Sequence, residues 1–175
     1  MGWRVRSDLR KMGLYGAPRT WRPPPRKETI VTEEAMAPPS PGLKALDRLV
    51  GTWNVTGGAP GTVTYEWMEG GYFLLQHIDL EQEGSKVRGL EVIGQLRPYG
   101  GEPSEDLHSR YYDSTGSTLD YVYELEGDTL TIWFGEKGSP AKFTGTFSDG
   151  DRVMDGGWEY PGGGGYPSTM TRVES

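Results

Sequence analysis

Four polar side chains set the chemical possibilities of this sequence: Gln76, Glu91, His108 and Arg110. Each lies where apolar and polar residues alternate, so the neighbouring turn assigns it to a strand face. With Thr115-Gly116 as a two-residue turn, Tyr112 opposes Leu119, Arg110 opposes Tyr121 and His108 opposes Tyr123. His108, Arg110 and Tyr112 then face inward among apolar residues. With Gly84-Ser85 turning the preceding pair, Glu91 opposes Ile78 and joins Gln76, Ile93 and Gln95 inside. A slip of one residue would reverse that placement. A buried guanidinium needs a partner, which Glu91 or a ligand carboxylate would supply. Two roles stay open for the cluster. It orients the head group of a ligand, or it is an internal Arg110–Glu91 pair, or polar groups in solvent, with no ligand at all.

Around this cluster, Tyr65, Trp67, Tyr112, Tyr121, Tyr123, Met154 and Trp158 are expected to form an aromatic wall. Such residues are more often core than binding site, but in a wide barrel the wall of the lumen is the core. The expected ligand-binding set is therefore these seven with Gln76, Glu91, His108 and Arg110. His77 is expected to face outward beside Asp79, with no metal partner at ligand spacing. No metal site and no cofactor are expected.

Other chemistries are excluded by what is missing. There is no Cys, hence no disulfide, thiolate metal site or Cys nucleophile. No Gly-x-Ser-x-Gly elbow, P-loop or His-Glu-x-x-His occurs. The run Gly162 to Gly165 does not join a strand to a helix, so it is no phosphate cradle. The net charge of -7 is uneven. Residues 1–35 carry eight Lys and Arg against four acids, a net of +4, and the remainder ten against twenty-one, a net of -11. An acidic body repels phosphate backbones, so a nucleic-acid partner is not expected. A mean hydropathy of -0.62 argues against a membrane span.

The elements that would position these residues follow from punctuation. Residues 1–41, with Trp21-Arg22-Pro23-Pro24-Pro25-Arg26 and Ala37-Pro38-Pro39-Ser40-Pro41, read as a basic, Pro-rich, disordered tail, with Met36 an alternative start. Without an apolar h-region no secretory signal is expected, and a cytoplasmic location fits the lack of Cys. Residues 42–175 read as one all-β domain. Ser40 and Pro41 suit an N-cap and first turn, and Leu43, Leu46 and Leu49 share a face of a short helix closing one barrel end. Turn signals then recur about every 12 residues, which predicts an antiparallel up-and-down barrel of about ten strands. Gly70-Gly71 pairs Trp67 with Leu74, Tyr65 with Gln76 and Val63 with Ile78. Gly127-Asp128 lines up Leu119, Tyr121, Tyr123, Leu125, Leu130, Ile132 and Phe134. Asp149-Gly150 groups Phe143, Phe147, Met154 and Trp158.

Gly51-Thr52-Trp53 after a short helix, with Thr171-Arg172 on the last strand, resembles the lipocalin and fatty-acid-binding (calycin) barrels. That resemblance implies that Trp53 and Arg172 are structural, an arginine stacked on an indole where first and last strands meet. More closely, Leu49-Val50-Gly51-Thr52-Trp53, Glu66-Trp67-Met68-Glu69-Gly70-Gly71-Tyr72-Phe73-Leu74 and Thr169-Met170-Thr171-Arg172 look like an uncharacterised family of bacterial lipocalin-like barrels, over residues 43–173. It brings no activity with it. The nitrobindin-type haem barrels are more distant relatives; their haem-ligating His lies towards the C-terminus, and here no His follows His108.

The expected function is binding of a small hydrophobic molecule with a polar or acidic head group in the barrel lumen. The alternative is a barrel enzyme of cyclase or isomerase type acting on a polyketide-like or lipid substrate, with His108, Glu91 or a Tyr as acid or base. Haem binding ranks below both. An interaction module using outer aromatics such as Trp133, and homodimerisation, remain open.

Overall fold

The structure is a computed structural model and describes residues 38–174. The expectations for residues 1–37, including the tail and Met36, lie outside the described residues. Ser40 caps a short helix, α1 (Pro41–Ala45), by accepting a hydrogen bond from the Leu43 N–H at 3.2 Å. A 3-10 turn, Leu46–Leu49, continues it. In a 3-10 turn residues three apart eclipse one another, which suits the spacing of Leu43, Leu46 and Leu49. All three are buried.

Ten strands follow: β1 (Gly51–Gly57), β2 (Gly61–Trp67), β3 (Phe73–Gln82), β4 (Ser85–Gln95), β5 (Leu107–Asp113), β6 (Thr118–Glu126), β7 (Thr129–Phe134), β8 (Lys142–Ser148), β9 (Val153–Tyr160) and β10 (Gly164–Arg172). Each pairs antiparallel with its sequence neighbour, and β10 pairs with β1, closing the barrel. Closure removes both sheet edges. Among the described residues no helix is long and apolar enough to cross a membrane.

The hairpin registers were legible where loop length was. Trp67 pairs with Leu74, Tyr65 with Gln76 and Val63 with Ile78. Glu126 and Thr129 flank the two-residue turn Gly127-Asp128, and Tyr123 pairs with Ile132. The β8–β9 loop has four residues, 149–152, and Asp149, Gly150 and Asp151 all have positive φ. Two extra residues preserve parity, so Phe143, Phe147, Met154 and Trp158 still share a face, with Phe147 paired to Met154 and Phe143 to Trp158.

Two further turns differ from expectation. The β3–β4 turn is Glu83-Gly84, with φ of 49° and 77°, the left-handed pair a type I′ turn requires. Glu91 therefore pairs with Gln76 and not Ile78, which takes Gly89. The shift is two residues on the partner strand, so Glu91 and Gln76 stay inside. The β5–β6 hairpin is a correction of parity. Asp113 is bonded to Ser117 across a three-residue loop with Gly116 at φ 90°. The Asp113 Oδ1 accepts from the Thr115 N–H (2.8 Å), the Thr115 hydroxyl (2.6 Å) and the Ser117 N–H (3.1 Å). This Asx-type loop holds one residue more than a two-residue turn, and so flips every β5 side chain. Leu107, Ser109 and Tyr111 pair with Tyr123, Tyr121 and Leu119. His108, Arg110 and Tyr112 pair with Val122, Asp120 and Thr118 on the outer face.

Candidate functional site

The two ends of the barrel are built differently. At the α1 end, Trp53 is fully buried and donates its Nε1–H to the Leu49 carbonyl at 2.7 Å. Arg172, its register partner on β10, lies 4.2 Å over the indole. The Arg172 guanidinium also donates to the carbonyls of Arg48 (2.6 Å), Asp151 (3.1 Å) and Val50. Arg48 pairs with Asp151 and Asp128 across the neighbouring hairpin loops and packs 4.3 Å from the Phe147 ring. Leu43, Leu46, Leu49, Leu74, Ile93 and Leu130 fill what is left. This end is packed shut.

Towards the other end the barrel holds a cavity of about 440 Å³, within the range of small-molecule sites. The alternation of β4 turns Val87, Glu91 and Ile93 inward, all under 9 % exposed. Glu91 lines the cavity at 5 % exposure. Both of its hydrogen bonds arrive at Oε1, one from the Ser109 hydroxyl and one from the Tyr123 hydroxyl at 3.0 Å. Ser109 reaches it diagonally, since Ile93 pairs with Ser109 and Glu91 with Tyr111. Oε2 has no hydrogen-bonding partner among the described residues. Burial drives the Glu91 pKa up to about 7, against the two hydroxyls that favour its anion. Burial, and then the Glu91 charge, raise the phenols of Tyr65, Tyr121 and Tyr123. Tyr111, raised by burial first and then mainly by Asp113, goes to about 12. These phenols are therefore neutral at physiological pH.

Aromatic rings make the wall across from it. β9 lies five strands from β4 in either direction round the barrel, and it carries Trp158. Trp158 sits 5.8 Å from Tyr121 and from Phe143, and stacks on Tyr160 at 6.3 Å and 14°. Tyr166 extends the cluster at 6.3 Å from Tyr160. Gln82, Asp113, Thr115 and Ser117, from the hairpins opposite α1, line the mouth. The Asp113 carboxyl, held below its ordinary range first by the Thr115 hydroxyl, is ionised there. Among the described residues, no Lys, Arg or His lines the cavity.

Of the expected ligand-facing set, Tyr65, Gln76, Glu91, Tyr121, Tyr123, Met154 and Trp158 line this cavity together. Trp67 does not. It packs against the core at the closed end, its indole N–H donating to Asp47 at 2.9 Å. His108, Arg110 and Tyr112 are corrections, because the three-residue β5–β6 loop turns them outward. Arg110 makes a two-pronged pair with the exposed Asp120 at 2.6 and 3.0 Å, and Tyr112 is 48 % exposed. No internal Arg110–Glu91 pair exists, and neither Arg110 nor His108 is placed to meet a ligand head group in this cavity. His77 faces outward, hydrogen-bonded to Glu66 at 3.0 Å. Residues not anticipated are Ser109, Tyr111, Tyr160 and Tyr166. Asp113 followed by Thr115-Gly116-Ser117 was the signal for the first two, as an Asx loop of three residues. Tyr160 follows from its parity with Trp158.

Neither histidine lines the cavity, so a histidine-ligated haem finds no axial ligand there. Among the described residues no group of three or more His, Asp or Glu is placed to hold a metal ion. No family model matches the chain, and no curated protein matches it.

Proposed function

We propose that the barrel is a lipocalin-like container that takes a small, largely aromatic or aliphatic molecule into its lumen, with a polar group of that molecule at Glu91. The observation that carries this reading is a nearly fully buried carboxyl with one oxygen unpartnered, lining a cavity of about 440 Å³ otherwise walled by rings. That oxygen has no donor among the described residues and is open to the cavity, where a ligand's hydrogen bond to a charged group is worth on the order of 1.5–3 kcal/mol. Trp53 and Arg172 belong to the closed end and take no part in binding.

The test is uptake of Nile red, an uncharged dye, followed by quenching of tryptophan emission. A one-to-one complex is expected with the native chain, and Leu119→Trp, which adds bulk to the lining, should abolish uptake while leaving the unfolding transition in place. No uptake by the native chain, or equal uptake by the variant, contradicts the proposal.

One observation favours a second reading, an enzyme of cyclase or isomerase type on a polyketide-like or lipid substrate. A carboxyl titrating near 7 is matched to proton transfer at physiological pH. Glu91 would be the acid–base group, with the Tyr65 phenol as donor to a developing oxyanion. His108, on the outer face, has no part in it. Under this reading Glu91→Gln abolishes conversion of a bound substrate and spares its binding; conversion unchanged in that variant contradicts it.

A further inference from the structure

The sign of the charge inside the barrel says more about the ligand than its volume does. Among the described residues, the ionisable carboxyls of the lining are Glu91 in the interior and Asp113 at the mouth, and no cationic side chain answers either of them from the lining. The two hydrogen bonds to Glu91 come from neutral hydroxyls and converge on one oxygen. Hydroxyls can soften the burial of a carboxylate but cannot neutralise it. Across the lumen, Trp158, Tyr121 and Tyr160 form an aromatic cluster in the lining, and the faces of such rings attract cations and repel anions. From residue 36 onward the chain carries a net charge of -11, which raises the local concentration of cations and lowers that of anions. Pocket carboxyl, ring faces and overall field all select the same sign.

We infer that the lumen ligand is an organic cation: a molecule with an aromatic or aliphatic body and a protonated amine, the ammonium donating to Glu91 Oε2 and the body stacked against the Trp158 wall. The inference rests on the proposed lumen binding and specifies its ligand class. An ammonium would complete the coordination of Glu91, supplying the donor and the counter-charge that the described protein residues do not. The geometry also imposes a proton linkage. The groups that face Glu91 are Tyr65 from β2, Gln76 from β3, Ser109 and Tyr111 from β5, and Tyr121 and Tyr123 from β6. The phenols among them have pKa values raised far from neutrality, so the carboxyl itself is the group that titrates near pH 7. An ammonium needs the ionised form, so its binding expels a proton whenever Glu91 is protonated beforehand.

The experiment is calorimetric titration of the full chain with three probes on one scaffold: 2-(2-naphthyl)ethylamine, 2-(2-naphthyl)ethanol and 2-naphthylacetate. At pH 8 the amine is expected to bind at least about tenfold more tightly than the alcohol, and the carboxylate more weakly than either. The amine affinity should fall about tenfold per pH unit from pH 7 down to pH 5, with proton release in that range, while the alcohol affinity stays flat. Glu91→Gln should bring the amine to the level of the alcohol and remove its pH dependence, and retained alcohol binding shows that the variant is folded. The pH profile of the native chain tests the same point with no substitution. Binding of the alcohol or the carboxylate as tight as that of the amine overturns the cation assignment and leaves the lumen reading standing. An amine affinity that rises as the pH falls does the same, because an ammonium held by the ionised carboxyl cannot bind better as Glu91 becomes protonated. If none of the three binds, the lumen reading itself fails, and the inference with it.

Discussion

The closed and open ends of this barrel each bury a charged group among aromatic rings, and they treat it in opposite ways. Arg172 is enclosed by donors' targets: three backbone carbonyls take its N–H groups and the Trp53 ring covers its face. Glu91 receives two hydroxyls, both on the same oxygen, in a wall that opens on a cavity. The first arrangement satisfies a charge and so fixes the fold, joining the last strand to the 3-10 turn and the first. The second leaves capacity unused. The free oxygen opens on the cavity, where water or a ligand can complete its set, so the imbalance is one that something outside the chain can resolve. Comparison of the two ends thus separates structural charge from functional charge by hydrogen-bond completeness.

The sharpest way to break that contrast is to damage the closed end. Trp53→Ala removes the largest fully buried side chain, its hydrogen bond to Leu49 and the platform under Arg172. A loss of about 3–5 kcal/mol is expected in urea unfolding. A loss under about 1 kcal/mol would mean that the indole does not hold the barrel shut.

Next in size is the open end, where the effect has the other sign. In the unfolded chain Glu91 titrates near its ordinary 4.5 and in the folded barrel near 7. Below pH 4.5 the carboxyl is protonated in both states and carries no penalty. Between 4.5 and 7 the folded state holds the proton more tightly, so stability falls as the pH rises. Above 7 the full penalty, about 3 kcal/mol, is present. Glu91→Gln should therefore stabilise the protein at pH 8 and leave it little changed at pH 4, as read by urea midpoints at both values. Equal effects of the substitution at the two pH values would remove the buried-charge account.

The smallest effect is expected from the outer face of β5. Arg110→Ala breaks an exposed pair with Asp120, and pairs of this kind contribute little. Nile red uptake and the unfolding midpoint should both match the native chain. Reduced uptake would place Arg110 back in the lumen.

That last residue also shows how far the sequence reached. The strands were legible because Gly and Asp mark nearly every turn, and the facing of β2, β3, β6, β7, β8 and β9 followed from period-two alternation. Glu91 was placed inside even though its partner was misassigned, because a two-residue shift conserves parity. On β5 the loop was misread by one residue, and parity does not forgive an odd error. Asp113, bonding ahead to Thr115 and Ser117, sets that length through its side chain, a local Asx signal that centring the turn on Thr115-Gly116 overlooks. The consequence was a reversal of charge: a lumen expected to hold Arg110 and His108 alongside Glu91 holds Glu91 with no cation among its described lining residues. Trp67 illustrates the other limit. Its inward facing was read correctly, but alternation gives the side of a strand and not the height along the barrel, and Trp67 stands at the closed end beside Asp47.

The most direct measurement is the titration of the Glu91 carboxyl carbon by NMR in the unliganded protein. An inflection near pH 7, absent in Glu91→Gln, is the predicted result: a carboxyl desolvated by the barrel and left uncompensated by it. If every glutamate carboxyl of the chain titrates below pH 5, Glu91 is either solvated or paired, and the open end holds no charge waiting for a partner.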